Sequence, residues 1–386
     1  GSRRWDTSLC SGGICDIPVM GDDGKPGSST TGYLNEGDVP TFQIYDVSEG
    51  EYFQVSPPED QNYGFENYEI FEIDALMITK DYSIPLHAHM NLISFYSLPQ
   101  DNNSISTVFY GLGSNLESVQ GEGGSTVYNP YYGTWAGSLT ELDITSGYWV
   151  GMEDADELDN HGFPYNINRV YDLNAGANLV SFPSEGSFDI AGALPDDIED
   201  NITAIIGEGS AATNNGGWTG SLNKFEGLHG YWIFTDADIS FSFNVNPEDQ
   251  MTRQVTPTQM STKPVGLEFV QSSKQAFYFV DESAIEEENV ENGDWFVSFC
   301  GTTIAGSRQY QGEAIDIPVM GYDGYQATAG YCESGDTPQF KLFKSVTSEM
   351  IDLYSDIPQW ESNGIFFLDN VRVAALTPDN FSMLSA

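Results

Sequence analysis

His87 and His89, two residues apart, are the closest approach this sequence makes to a metal-ligating pair. On a strand that spacing sets both imidazoles on one face, where a transition metal could be held. Oxygen ligands are more plentiful. Asp22 and Asp23 lie in a Gly-Asp-Asp-Gly turn and Asp323 in a Gly-Tyr-Asp-Gly turn, Asp38 and Asp336 follow them, and Asp154, Asp156 and Asp159 crowd a third stretch. A hard cation such as Ca2+ takes six to eight oxygens, so these eight carboxylates are the candidate calcium ligands and Ca2+ is the one cofactor expected. None of them falls in the spacing of a twelve-residue calcium loop, and Asp-Gly pairs also make plain turns.

Motifs for nucleophilic, phosphate-binding or zinc chemistry are lacking: there is no Gly-x-Ser-x-Gly elbow, phosphate loop or His-Glu-x-x-His helix. With 58 acidic residues, close carboxylate pairs arise by chance and do not argue for glycoside hydrolysis. The expectation is that the protein is not an enzyme. A formal charge of −45, from 58 acids against 13 bases, excludes nucleic acid as a partner, because phosphate binding needs clustered Lys and Arg. No apolar run is long enough to span a membrane as a helix.

The elements that would position these residues come in two kinds of repeat. The first kind spans about 86–155 and 173–245. Asn-Leu-Ile-Ser-Phe at 91–95 matches Asn-Leu-Val-Ser-Phe at 178–182, and Gly-Glu-Gly at 121–123 matches 207–209. Trp-x-Gly-Ser-Leu at 135–139 matches 218–222, and Gly-Tyr-Trp at 147–149 matches 230–232. Each copy reads as a strand, a short helix and three strands, with the helix of the second copy broken at Pro195. Trp135, Trp149, Trp218 and Trp232 recur at fixed places; they read as core or inter-strand packing, with a sugar-stacking platform as the functional alternative.

The second kind of repeat is Asp-Ile-Pro-Val-Met-Gly-x-Asp-Gly at 16–24 and 316–324, each followed by Gly-Asp-x-Pro at 37–40 and 335–338. The later copy is preceded by the β-rich run 265–305. The earlier one starts at Gly1, so the chain opens inside a module, as expected of a mature, processed polypeptide. Strands are expected over 41–45 and 70–78. The organisation predicted is an incomplete β-sandwich module over 1–79, small α+β repeats over 80–155 and 156–245, a linker over 246–264, a complete β-sandwich module over 265–375 and a tail over 376–386. The fold class is mainly β, with the β-sandwich modules at both ends flanking the two α+β repeats.

Cys10 and Cys15 bracket a turn that is an insertion in the first module, short enough to be stapled. Cys300 and Cys332 belong to the second, and the first has Leu34 where Cys332 stands and no counterpart of Cys300. That joint absence argues for a 300–332 disulfide, and disulfides together with the acidic charge place the protein outside the cell or on its surface.

These segments resemble repeat modules of large secreted or cell-surface bacterial proteins, the Asn-Leu-Ile-Ser…Gly-Tyr-Trp type and the Asp-Ile-Pro-Val-Met-Gly-x-Asp-Gly type. Residues 378–386 are similar to the linker before the sorting domain of type IX secretion cargo, which implies export and removal of that domain. The resemblance brings no catalytic residue. The function expected is an extracellular structural or adhesive subunit whose copies join head to tail in a fibre or filament by strand complementation, with 376–386 as a segment that takes part. The alternative is a polysaccharide-binding accessory module, with surface polysaccharide as the partner.

Overall fold

The computed structural model describes residues 1–4, 15–47, 50–57, 61–78, 80–99, 102–164, 167–245, 263–281, 285, 290–312 and 314–374. Cys10, most of the expected linker and the expected C-terminal tail lie outside them, so the 10–15 staple and the role of the tail fall outside the described residues. The architecture is mainly β, with antiparallel sheets throughout and helices of a single turn. Two compact units divide the chain. The first takes in Gly1–Tyr82, Ser97–Asn102 and Asn160–Pro164; the second takes in Ser83–Tyr96, Asn103–Asp159 and Tyr165–Ala386, and so includes most of both small repeats and the terminal module.

Within the second unit the two repeats have the same five-stranded sheet order. In the first repeat it runs His89–Ser94, Gly147–Met152, Leu116–Gly121, Gly124–Asn129, Thr134–Gly137; in the second, Gly176–Ser181, Gly230–Thr235, Ile202–Gly207, Ser210–Asn214, Trp218–Gly220. The recurring Asn explains its own recurrence. The Asn91 amide donates to the carbonyls of His87, His89 and Val150 while its oxygen accepts the His87 N–H. Asn178 repeats this with Asn174, Gly176 and Ile233. A buried amide that satisfies several backbone groups at once fixes the turn leading into the strand. In the second repeat the expected helix is two single turns, Ile190–Ala193 and Asp196–Glu199, interrupted by Pro195.

The terminal module carries two sheets. Gln275–Val280 lies between Ile315–Met320, antiparallel, and Ile365–Phe367, parallel. The second sheet has the order Thr303–Gln309, Trp295–Cys300, Gln339–Lys344, Glu349–Tyr354, Arg372–Val373. One buried cluster draws on both, with Tyr278, Ile317 and Val319 from the first and Phe296, Phe340 and Leu342 from the second. Cys300 and Cys332 are joined, with 5.2 Å between their Cα atoms.

The opening unit reproduces part of this. Its sheet is Phe42–Asp46, Glu51–Ser56, Met77–Ile78. The register Phe42↔Val55 and Val55↔Ile78 recurs as Phe340↔Leu353 and Leu353↔Val373. The bridge Gly21↔Leu34 recurs as Gly321↔Cys332. Gly21 packs so closely on Phe65, as Gly321 does on Trp360, that a Cβ would overlap the ring, which explains a glycine after each methionine. The expectation of a strand over 70–78 holds only for Met77–Ile78. Ile70 is 89% exposed, whereas the matching Ile365 is paired to Gln275–Val280. A strand forms only against a partner, and 70–73 has none among the described residues.

The disulfide closes a separation of 32 residues. Replacing both cysteines, Cys300→Ser with Cys332→Ser, is expected to lower stability by about 3–4 kcal/mol by loop entropy, read as a fall in the denaturant midpoint for unfolding of the second unit.

Candidate functional site

The short recurrent motifs converge at the places where modules meet. In each Gly-Glu-Gly turn the glutamate reaches across to the other repeat. Glu208 Oε2 accepts the Leu92 N–H (2.7 Å) and Glu122 Oε2 accepts the Leu179 N–H (2.8 Å). The motif serines cross as well, Ser94 Oγ donating to the His229 carbonyl and Ser181 Oγ to the Ile144 carbonyl, each at 2.7 Å. Between them the glycines of the two Gly-Tyr-Trp motifs face one another. A Cβ on Gly147 would come 3.1 Å from the Gly230 Cα, and one on Gly230 3.2 Å from the Gly147 Cα. Two equivalent surfaces related in this way form an approximately two-fold, self-complementary interface.

His87 departs from that symmetry, since Asn174 stands in its place. Its Nε2 lies 2.6 Å from Glu208 Oε1, and this hydrogen bond raises its pKa above 6.5 against the opposing effect of burial. The imidazole is therefore engaged by Glu208 rather than by His89. A cavity of about 330 Å³ beside it is lined by His87, Glu208, Lys224, Glu226, His229 and Tyr231 among others.

The candidate calcium carboxylates of the two Asp-Gly modules bond mostly within their own turns, and those of the third stretch reach more distant residues. Asp22 accepts the Gly24 N–H, and Asp23 accepts the Lys25 N–H and the Thr30 hydroxyl. Asp38 and Asp336 accept the N–H groups of Asn35 and Glu333, each 2.7–2.8 Å away. Asp323 accepts the Thr328 hydroxyl at 2.6 Å and the Ser273 N–H. Asp156 accepts from the Asn115 amide and Asp159 from the Ser83 hydroxyl, while the Asp154 N–H donates to Asn115 Oδ1. Among the described residues no group of three His, Cys, Asp or Glu converges as a metal site.

The four tryptophans part ways. Trp149 is 3% exposed among Met90, Leu92 and Leu179, so its ring offers no face to a sugar; Trp232 packs partly buried beside it. Trp218 is half-buried and donates its indole N–H to Glu199. Trp135 is half-buried against Tyr128, at 5.2 Å between ring centroids.

The second repeat meets the terminal module through residues that the sequence did not single out for this role. Asp316, nearly fully buried, accepts from the Ser221 N–H and hydroxyl (both 2.7 Å) and from Arg308 Nη2 (2.9 Å). Burial pushes its carboxyl upward in pKa, and the Arg308 guanidinium pulls it back. Arg308 also donates to the Gly209 carbonyl (2.7 Å), and Gln275 bonds the Gly207 carbonyl and the Gly209 N–H. Ser221 belongs to Trp-x-Gly-Ser-Leu and Gly209 to Gly-Glu-Gly, so both motifs have a docking role.

The opening unit holds a replica of the module's half of that contact. Arg3 pairs with Asp16 and donates to the Asp16 carbonyl (3.1 Å), as Arg308 does to Asp316 (3.0 Å). Here the side chains are 49% and 81% exposed, against 23% and 1% for Arg308 and Asp316. Comparison with protein-family models, with curated proteins and with solved structures finds no match to this chain.

Removing one partner of a buried pair leaves a charge without compensation, while exposed pairs contribute little. Asp316→Ala is expected to destabilise the second unit by about 3 kcal/mol. Asp16→Ala is expected to shift stability by no more than about 0.5 kcal/mol, with chemical denaturation of the two variants giving the comparison.

Proposed function

We propose that this is an extracellular structural or adhesive surface protein, non-enzymatic, whose end modules are β-sandwiches and whose chains join by strand complementation into a fibre or filament. The observation that carries the reading is in the opening unit. Ile17 and Met20 are 38% and 53% exposed, whereas Ile317 and Met320, which match them in the terminal module, are fully buried under Gln275–Val280. No strand occupies the equivalent place among the described residues. Unpaired backbone beside apolar side chains is the surface to which another chain adds a strand. The Cys300–Cys332 disulfide supports an oxidising, exported setting. Electron microscopy and light scattering of the native material test this reading. Elongated assemblies that Met20→Asp disperses, without loss of the second unit's stability, are expected; monodisperse monomers under all native conditions overturn it.

A second reading, polysaccharide binding, is favoured by one hairpin. In the first repeat the turn between Gly124–Asn129 and Thr134–Gly137 presents Tyr131 and Tyr132, edge to face at 4.9 Å and largely exposed, beside Tyr128 and Trp135. The second repeat has Asn215, Gly216 and Gly217 there. Exposed rings with hydroxyls suit a sugar face, and the acidic charge favours an uncharged glycan. Tyr131→Ala with Tyr132→Ala is expected to abolish retardation of the protein in affinity gels cast with neutral polysaccharides; a wild-type protein that no such gel retards removes this reading.

A further inference from the structure

Phe277 and Phe279 of the terminal module cover part of one sheet face of the second repeat, at Ile206 and Ala211. Two positions away along the same strands, Ala204 stands opposite Thr213 on one side and Phe234 on the other. These three line a cleft of about 440 Å³, together with Asn363, Ile365 and Phe367 of the terminal module. All of it lies within the second unit. We propose that this cleft binds an uncharged saccharide, at a site separate from the tyrosine hairpin and independent of filament assembly.

The chemistry of the lining selects the ligand class. None of the described residues lining the cleft is charged, in a chain with 58 acidic and 13 basic residues. A cation would find no carboxylate there, and an anion would enter against the net charge with no basic partner. A wholly apolar ligand would leave the hydroxyls and amides of Thr203, Thr213, Asn214 and Asn215 without their contacts to water. Apolar cover comes from Phe234, Ile365 and Phe367, the last 56% exposed. Aromatic rings beside hydroxyls and amides suit a sugar, whose C–H face packs on a ring while its hydroxyls donate and accept. The volume lies within the roughly 300–1,000 Å³ of small-ligand sites.

Asn363 is the most specific of these groups. Its backbone is left-handed, with φ of 61°, and its N–H is held by the Gln275 carbonyl at 2.6 Å. Its side-chain oxygen is buried and has no hydrogen-bond partner. A buried acceptor without a donor is costly, and a ligand hydroxyl would supply the donor. Other groups are already fixed. Thr203 donates to the Phe234 carbonyl (3.3 Å), leaving its oxygen free to accept, and Asn214 is held by the Glu199 carbonyl and the Gly217 N–H. Groups ordered in advance lose little on binding.

The first repeat shows what the matching place accepts. Gly151 and Ser118 stand there opposite one another, as Phe234 and Ala204 do in the second repeat. Tyr325 of the terminal module fills that place, packed against the cluster of Met90, Leu92 and Trp149 with its hydroxyl 2.7 Å from Ser118 Oγ. A six-membered ring bearing a hydroxyl therefore seats on this sheet face in one repeat, and the corresponding face of the other opens into the cleft.

The test titrates the full chain by isothermal calorimetry with cellotetraose, maltotetraose, xylotetraose and mannotetraose, and with tetragalacturonate as the charged control. Binding of at least one neutral probe is expected. Asn363→Gly and Phe367→Ala are each expected to weaken it about tenfold, and Tyr131→Ala with Tyr132→Ala to leave it unchanged. Glycine keeps the left-handed backbone at 363, so that variant retains the wild-type thermal midpoint even where loss of the Phe367 ring loosens the fold. The inference is overturned if no neutral probe binds, if tetragalacturonate binds as tightly, or if both cleft variants bind as the wild type does. Binding lost only with Tyr131 and Tyr132 leaves the hairpin reading standing and removes this one; binding lost only with the cleft variants does the reverse.

Discussion

A strand in the interior of a domain must have hydrogen-bond partners along both edges and apolar cover on both faces. Gln275–Val280 meets all four requirements, and every one of its residues is buried. Ile315–Met320 and Ile365–Phe367 bond its edges, the module core covers one face, and the second repeat covers the other. The terminal module and the second repeat therefore share a strand as common structural material. The opening unit shows what the same sequence pattern gives without it: Glu51–Ser56 and its neighbours keep their register, while 15–20 and 70–73 pair with nothing of that kind among the described residues.

A second constraint is electrostatic. With 13 basic residues for 58 acidic ones, most carboxylates have no cation available. Many of the described ones turn to backbone amides instead, as Glu122 and Glu208 do between repeats and Asp22, Asp38 and Asp336 do within turns. Charge-assisted bonds of this type are stronger than neutral ones and need no counter-ion. The cations are placed where burial would otherwise be costly: Arg308 against Asp316 and Lys344 against Asp294.

Much of the fold was legible in the sequence because it is carried by local pattern and by repetition. The mainly β class, the matched repeats, the 300–332 disulfide and the helix broken at Pro195 all follow from spacing or from a residue's own stereochemistry. The docking roles of Gly-Glu-Gly and of the Arg308–Asp316 pair were not legible. Leu92 and Glu208 lie 116 positions apart and Ser221 and Asp316 lie 95 apart, and nothing local marks one as the other's partner. The duplication held a usable signal, since a glutamate kept between two glycines in both repeats invites the question of what it reaches. Trp149 shows the limit from the other side: an aromatic fit for a ligand face and one fit for a core look alike until burial is known.

The mutual approach of Gly147 and Gly230 has a consequence for descent. Crossed glutamates, crossed serines and facing glycines are what a homodimer of one ancestral repeat would show, now fused into a single polypeptide. Fusion relaxes the demand that both halves stay alike. The two copies differ on the outer hairpin, Tyr131 and Tyr132 in one and Asn215, Gly216 and Gly217 in the other, while both keep the glycines that face each other across the seam.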